Sequence, residues 1–555
     1  MTYNPSGLAS GPIASDFQRL HAARGERLEI ARLCARLVKP RLLPAEGWTP
    51  DQRTPRNFQS TGSRGVGRLR GSMVSAYFGP PWMNTELAPE IMRSTQIPDL
   101  LKQDLADEYY RQDAVVLGLL ESGRLVGNAR PVGFKSAMSN VMDQILVVGD
   151  SLTHLTDDFG TKVFRFDQYV TERDSTTAIL MHGVHECTDP LSLPEAQFAK
   201  TGLDYEALKK QNIAQRMVPI FTRYEWNPQT KVWTLCQEVN GKEIFTRDEK
   251  KRSFASVAFD LIAGENYGGS FVEQNLGDLD ALDELNKRLL QNAELASRAH
   301  PIIDPGSSIR AEEMQTAEPG QIWYDRVSNG VPVNLGMWRI DKMNDMRFVL
   351  ETVARLESNL NRAFLLISET APTGDRVTAT AWRQVIKEVD DALSGVSAMI
   401  ADELQLPLAV RAYEIAKNKN LLGQPKPELA AIMRAMGEKF RTVIVTGEKT
   451  LLRQQKLQSV LTVAGVLQTL GPEAMARIDI GVLTDIVARY GALYDEPGLV
   501  KSRQQMMQEQ AQAMRQQVQL AAQEQAVSSL GKIAEMGAQG AIQQSNPSPA
   551  VRMAG

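Results

Sequence analysis

His182-Gly-Val-His185-Glu-Cys187 is the one stretch whose residue types could ligate a metal. Ligands three residues apart converge in a turn or a helix, whereas a strand sends them to opposite faces. No second pair stands nearby to complete four ligands, so two satisfied loop histidines are expected there. Gly65-Val-Gly-Arg-Leu-Arg-Gly71 has part of the glycine spacing of a dinucleotide-binding turn. Arg70 stands where the third glycine should fall and no strand leads in, so a packing or linker loop is expected. Thr446-Gly-Glu-Lys-Thr450 lacks the upstream glycine of a P-loop and sets Glu448 between glycine and lysine, which excludes a P-loop ATPase. Asp157-Asp158 and Asp390-Asp391 are neighbours in sequence; without further converging carboxylates they read as solvated faces, not a two-metal nuclease centre. No catalytic constellation survives. The expectation is a protein that is not an enzyme and carries no metal and no cofactor.

The elements that must position the remaining residues follow from composition and period. The chain has 555 residues, 43% hydrophobic and 23% charged, which is ordinary for a folded protein and enough for roughly three to four structural segments. A formal net charge of -4 and a pI near 5.9 exclude a basic nucleic-acid coat. Cys34, Cys187 and Cys236 are odd in number and far apart, which fits a reducing compartment better than a disulfide framework. No apolar run approaches the roughly 18 residues of a membrane span, and Asp16, Arg19 and Arg24 stand where a signal peptide would be apolar. Secretion and membrane insertion are not expected.

Phe17, Leu20, Leu28, Leu33 and Leu37 mark a helical face that Pro40 ends, followed by a Thr/Pro/Gly loop to about Gly71 and a helix near Ile97–Leu120. Between 141 and 260 the pattern turns to short β-type runs at Ile145-Leu-Val-Val-Gly, Val163-Phe-Arg-Phe, Ala178-Ile-Leu-Met and Ile220-Phe-Thr-Arg-Tyr. Trp226-Asn-Pro-Gln-Thr-Lys-Val-Trp233 reads as two strands around a turn, and Asn240-Gly241 suits the positive φ angles of a type I′ hairpin. Leu276, Leu279, Leu282, Leu285 and Leu289 line one helix; Met346, Val349, Val353, Leu356, Leu360 and Phe364 line another. A Pro/Gly-rich insert separates them, giving a stalk, a tip and a return stalk. A short polar loop at 368–377 precedes the longest helical pattern, Thr378 to about Asn418, roughly 60 Å long if unbroken, with a kink expected at Pro407. A Gln/Ala/Met-rich helix is expected over 501–545, where Met507, Met514, Val518 and Ala521 suit helix packing.

Gly264-Glu-Asn-Tyr-Gly268 with Leu276-Gly-Asp-Leu279 resembles the approach to the first stem helix of podovirus-type phage portal proteins, also called head-to-tail connectors. Thr373-Gly-Asp-Arg-Val-Thr-Ala379 and Glu403-Leu-Gln-Leu-Pro-Leu408 resemble that family's tunnel loop and the end of its long helix, and Gly62–Trp82 is also similar. The order of segments matches over about 60–500. The chain departs from the pattern at Thr380 and Ala381, where relatives often carry acidic residues, so a capping box at that helix start is lost.

The resemblance implies an α+β, mostly helical portal fold. Its parts are a wing (helical over 1–140, β-rich over 141–270), stem helix 1 (271–298), clip (299–338), stem helix 2 (339–367), tunnel loop (368–377), long wing helix (378–440), crown (441–500) and barrel helix (501–545), with a disordered tail at 546–555. It implies a homo-oligomeric ring, a dodecamer, at one capsid vertex of the virion, assembled in the host cytoplasm and carrying double-stranded DNA through its channel. Expected partners are the terminase motor, tail adaptor and nozzle proteins, the major capsid and scaffold proteins, and internal core proteins, with no membrane. Thr370, Thr373, Gly374, Asp375 and Arg376 would form the DNA-touching loop, where Arg376 either meets phosphate or pairs with Asp375 or Glu369. Arg310, Trp323, Tyr324, Arg326 and Trp338 would carry clip contacts, the aromatic ones serving either partners or the clip's own core. Asp283, Lys287 and Arg288 are the stem residues expected to face the channel.

Overall fold

A computed structural model describes residues 11–49, 51–79, 82–85, 99–122, 133–297, 343–366 and 396–423, with short backbone pieces within 300–338 and at 442–443, 462, 512–516 and 518–519. The chain divides into two units, Met1–Leu451 and Leu452–Gly555. The described residues of the second unit are short helical pieces, in which Met514 and Val518 are exposed. Among the described residues no helix is long and apolar enough to cross a membrane.

The first unit is α+β. Its amino-terminal periodicity forms two helices, Pro12–Ala23 and Gly25–Val38, not one. The break lies at Arg24, whose buried guanidinium donates to the carbonyl of Phe166 (2.8 Å) and lies over the rings of Phe166 and Tyr267. Buried Glu238, on a strand, accepts the amide hydrogens of Ile13 and Ala14, tying the first helix turn to the sheet where the helix dipole favours a carboxylate.

The expected β region is present as two antiparallel sheets. One is a meander of Tyr169–Arg173, Ile179–Thr188, Val218–Asn227, Val232–Val239 and Lys242–Glu249. The other sets Asp150–Leu155 between Thr161–Phe164 and Phe254–Ala258. Asn240 and Gly241 both take positive φ (51° and 71°) between the paired residues Val239 and Lys242, as a type I′ turn requires. Trp226 pairs with Trp233 across the second hairpin.

Two expectations fail here. Ile145–Val147 closes a helix, Phe134–Val147, and is not a strand. Every residue from Val141 to Val148 is buried, so the run carries no exposed position to reveal its period; Phe134, Ala137, Met138, Val141 and Ile145 hold the helical spacing. Gly149, at φ 91° with the Gly269 carbonyl where a Cβ would stand, then turns the chain into the sheet. The Gly65–Gly71 segment is helix as well: Thr61–Phe78 is continuous through four glycines.

Candidate functional site

Leu276–Ser297 and Met343–Ala363, the two helices expected to form a stem, pack on each other through the leucine face of the first and the Val353/Leu360 face of the second. A short helix, Phe271–Gln274, leads in, with a capping box in which Ser270 and Glu273 exchange side-chain and backbone hydrogen bonds. Arg27 clamps this entry. Its guanidinium donates to both oxygens of Glu273 (2.8 and 2.7 Å) and to the carbonyls of Val148 and Gly268.

Against the stem lies the glycine helix, and its composition now has a physical reason. A Cβ on Gly65 would stand 2.4 Å from Phe364, and one on Gly62 would stand 3.0 Å from Leu279. Phe364 and Leu279 are fully buried, at the same end of the helix pair, where the first helix begins and the second ends. Glycine lets the helix backbone approach both stem helices, which a side chain would prevent. The dinucleotide-like spacing is a packing surface within a helix, not a loop.

Asp283, expected toward the channel, instead accepts the backbone amide hydrogens of Phe58 (2.6 Å) and Gln59 (3.2 Å), holding the segment that enters the glycine helix. Lys287 and Arg288 both pair with Glu284 within the same helix (3.7 and 2.9 Å), which draws the Glu284 carboxyl below its ordinary range, chiefly through the Arg288 hydrogen bond. All three acid and base partners remain at the helix surface. So do three large apolar side chains: Leu290 is 59% exposed, Phe348 72% and Leu350 54%.

The insert between the stem helices closes on itself at its base. His300–Ile303 pairs antiparallel with Leu335–Trp338, His300 opposite Trp338, and Val327–Ser328 pairs with Val331–Pro332. That places Trp338 at a register position on the insert's closing ladder. Arg310, Trp323, Tyr324 and Arg326 lie outside the described residues, as do Thr370, Thr373, Gly374, Asp375 and Arg376.

The histidine pair sits on the strand Ile179–Thr188, and the strand sends the two rings to opposite faces. His182 meets the Thr171 hydroxyl (3.1 Å), while His185 packs against the rings of Phe17 and Phe221. Burial lowers both, His182 to about 3 and His185 to about 4. They are core residues of a strand, not loop histidines. Among the described residues no group of three or more potential ligands could hold a metal ion.

Asp157 and Asp158 are not idle solvated acids. Asp157 accepts from Arg247 and from Arg411 (both 2.7 Å), and Asp158 from Lys419 (2.7 Å), joining a β turn to the helix Leu406–Asn418. Arg411, buried, also meets Glu414 (2.6 Å) and buried Glu249 (3.4 Å). Upstream of that helix, Ile400–Gln405 is π-helical, and the amide of Leu406 reaches the carbonyl of Ala401. Pro407, which has no amide hydrogen, follows at once, so the expected Pro407 irregularity takes the form of a widened helical turn before it. Sequence reading missed this charge network because its paired members are separated by up to 261 residues.

The family model for bacteriophage head-to-tail connecting proteins matches residues 10–492. Among curated relatives, the portal protein of Escherichia phage T7 is 24% identical over 456 residues, covering 79% of this chain and 81% of that one. That of Enterobacteria phage T3 is 24% identical over 416 residues, covering 73% and 74%. A chain from the neck of an empty gene transfer agent particle aligns over 68% of this chain and 89% of its own at 13% identity, with a TM-score of 0.31. With the stem, its insert and the β-rich region all inside the matched span, the chain belongs to the bacteriophage head-to-tail connecting protein family.

Proposed function

We propose that the chain is the portal of its phage: a closed ring, a dodecamer, at one capsid vertex, through which double-stranded DNA is packaged and later ejected. The observation that carries this reading is the stem. Two paired helices leave Leu290, Phe348 and Leu350 largely exposed, and a ring of such stems gives these side chains neighbours to pack against. Membership of the connector family and relatives named portal protein support the same reading.

In this reading residues 1–140 and 141–270 form the wing, 271–298 and 339–367 the stem, 299–338 the clip, 368–377 the tunnel loop, 378–440 the long wing helix, 441–500 the crown and 501–545 a barrel helix. The clip docks the terminase motor and then the tail adaptor proteins through Arg310, Trp323, Tyr324, Arg326 and Trp338. Thr370, Thr373, Gly374, Asp375 and Arg376 touch the DNA, and the net negative charge of the chain lets that DNA slide, since each lasting phosphate contact would add salt-dependent affinity. Lys287 and Arg288, offset in part by Glu284, suit a wall that attracts phosphate weakly. The ring does no chemistry of its own; the motor supplies the work.

Mass photometry of the purified chain tests the ring: a single species near twelve protomers is expected, and a monodisperse monomer at micromolar concentration overturns the reading. Deleting Glu369–Asp375 with a Gly-Ser bridge tests the loop. Rings should form normally and particles should fail to fill or hold their genomes; full genomes held as in the wild type would remove the loop's role.

A further inference from the structure

The sheet and the π-helical turn flank an open cleft of about 570 Å³. Arg173, Lys250, Lys251 and Arg252 line it, against a single carboxylate, Glu403. Among the described residues none of the four cations has a carboxylate within 4 Å, although nearly every other buried or half-buried arginine in the sheet region is paired. Arg173 is only 8% exposed; it donates to the Thr177 carbonyl (3.0 Å) and toward the Ser256 hydroxyl (3.4 Å), and its Nε is buried without a partner. Arg252, half-buried, makes no hydrogen bond among the described residues, and burial lowers its basicity. Glu403 accepts the Ala258 amide hydrogen (3.3 Å) and lies near enough to Arg173 and Arg252 to feel both charges without a direct ion pair. Four cations against one carboxylate leave the cleft lining net positive even with buried Asp150 near Arg173, and an anion entering it would offset guanidinium charge held out of water.

The opposite wall is apolar. Trp226 and Trp233, a cross-strand pair with ring centroids 5.3 Å apart, face Leu406, Pro407 and Val410 on the helix. Cations beside an indole and aliphatic wall select a ligand with both properties. We infer that this cleft is a docking site for an acidic peptide segment of a partner protein, its carboxylates on Arg173 and Arg252 and an apolar side chain between Trp226 and Val410. The volume suits a few side chains and is typical of ligand clefts of roughly 300–1,000 Å³. A DNA duplex is a convex rod; it could reach Lys250 and Lys251, both exposed, but not the buried Arg173. The π-helical turn contributes because it carries Glu403 inward and ends where Leu406 and Pro407 meet the cleft.

The probe is the fluorescein-labelled hexapeptide Glu-Asp-Leu-Phe-Asp-Glu, titrated with the full-length protein and followed by anisotropy. Binding should weaken about ten-fold or more in Arg252→Gln and in Trp226→Ala, and in the peptide with Gln and Asn for its acids. Because Arg173→Gln could misfold, Arg252→Gln, at a less buried position, is the deciding variant, with unchanged circular dichroism as its control. Absence of binding overturns the site, as does equal binding of the neutral peptide. A 12-base-pair duplex that displaces the peptide and loses its own affinity in Arg252→Gln would reassign the cleft to nucleic acid and overturn it too.

Discussion

Gly65 lies directly beneath Phe364: a Cβ built on the glycine would stand 2.4 Å from the Cγ of that ring. Phe364 is fully buried, stacked edge-on against Phe271 with centroids 5.3 Å apart, so the ring has little room to move. The contact fixes the end of the helix Met343–Ala363 against the helix Thr61–Phe78 at backbone distance. Gly67, two residues on, has nothing within 4 Å of its own Cβ position.

These two glycines predict opposite outcomes. Gly65→Ala should destabilise by about 1–3 kcal/mol through overpacking, despite alanine's better helix propensity. Gly67→Ala should stabilise by up to about 1 kcal/mol, since only propensity changes. Urea midpoints of the two variants check the pair, and equal shifts would remove the close-approach account of this helix.

Phe348, at 72% exposure, should matter to assembly and little to the folded chain. Phe348→Ser combined with Leu290→Ser is expected to shift the population from rings toward smaller species while leaving the secondary structure intact. Mass photometry over a dilution series reads the shift; rings as stable as the wild type would show that these side chains serve another contact.

Arg411 holds buried Glu249 and Asp157 together. Arg411→Met should cost about 1–3 kcal/mol, because buried Glu249 and Asp157 each lose one of their two guanidinium partners. Glu249 retains Arg247 and the Tyr224 hydroxyl, which places the loss toward the lower end of that range. Arg411→Met/Glu249→Gln should recover little, since it also removes the Arg247–Glu249 pair. Chemical denaturation of both variants makes the comparison.

His182, lowered to about 3 by burial, stays neutral in the fold and takes a proton at about 6.5 when unfolded. Its folded value is depressed, so its contribution is complete above 6.5 and is lost as pH falls toward the folded value. Between pH 7 and pH 5 the loss from this one group is about 2 kcal/mol. His182→Gln should therefore show a shallower fall in stability across that window. An identical pH profile would mean that the ring is hydrated or charged in the fold.

Much of the architecture is written in local pattern. Asn240-Gly241 specifies its hairpin because few residue pairs tolerate two positive φ angles, and the leucine and valine repeats of the stem specify helices because one apolar face recurs at 3.6 residues. The Pro/Gly-rich stretch between those repeats marks an insert for the same reason: it cannot continue either helix. Other elements had no such local signature. Ile145–Val148 is buried on every side, so period could not distinguish helix from strand. The glycines of Thr61–Phe78 look like a loop until Phe364 and Leu279, some 300 and 217 residues away, are seen against them. Asp157 acquires Arg411, and Arg173 meets Arg252 and Glu403 in one cleft, only because folding brings distant segments together. Short-range sterics and turn chemistry set the elements by themselves; which charges end up paired, stranded or gathered depends on long-range burial, and only the tertiary structure decides that.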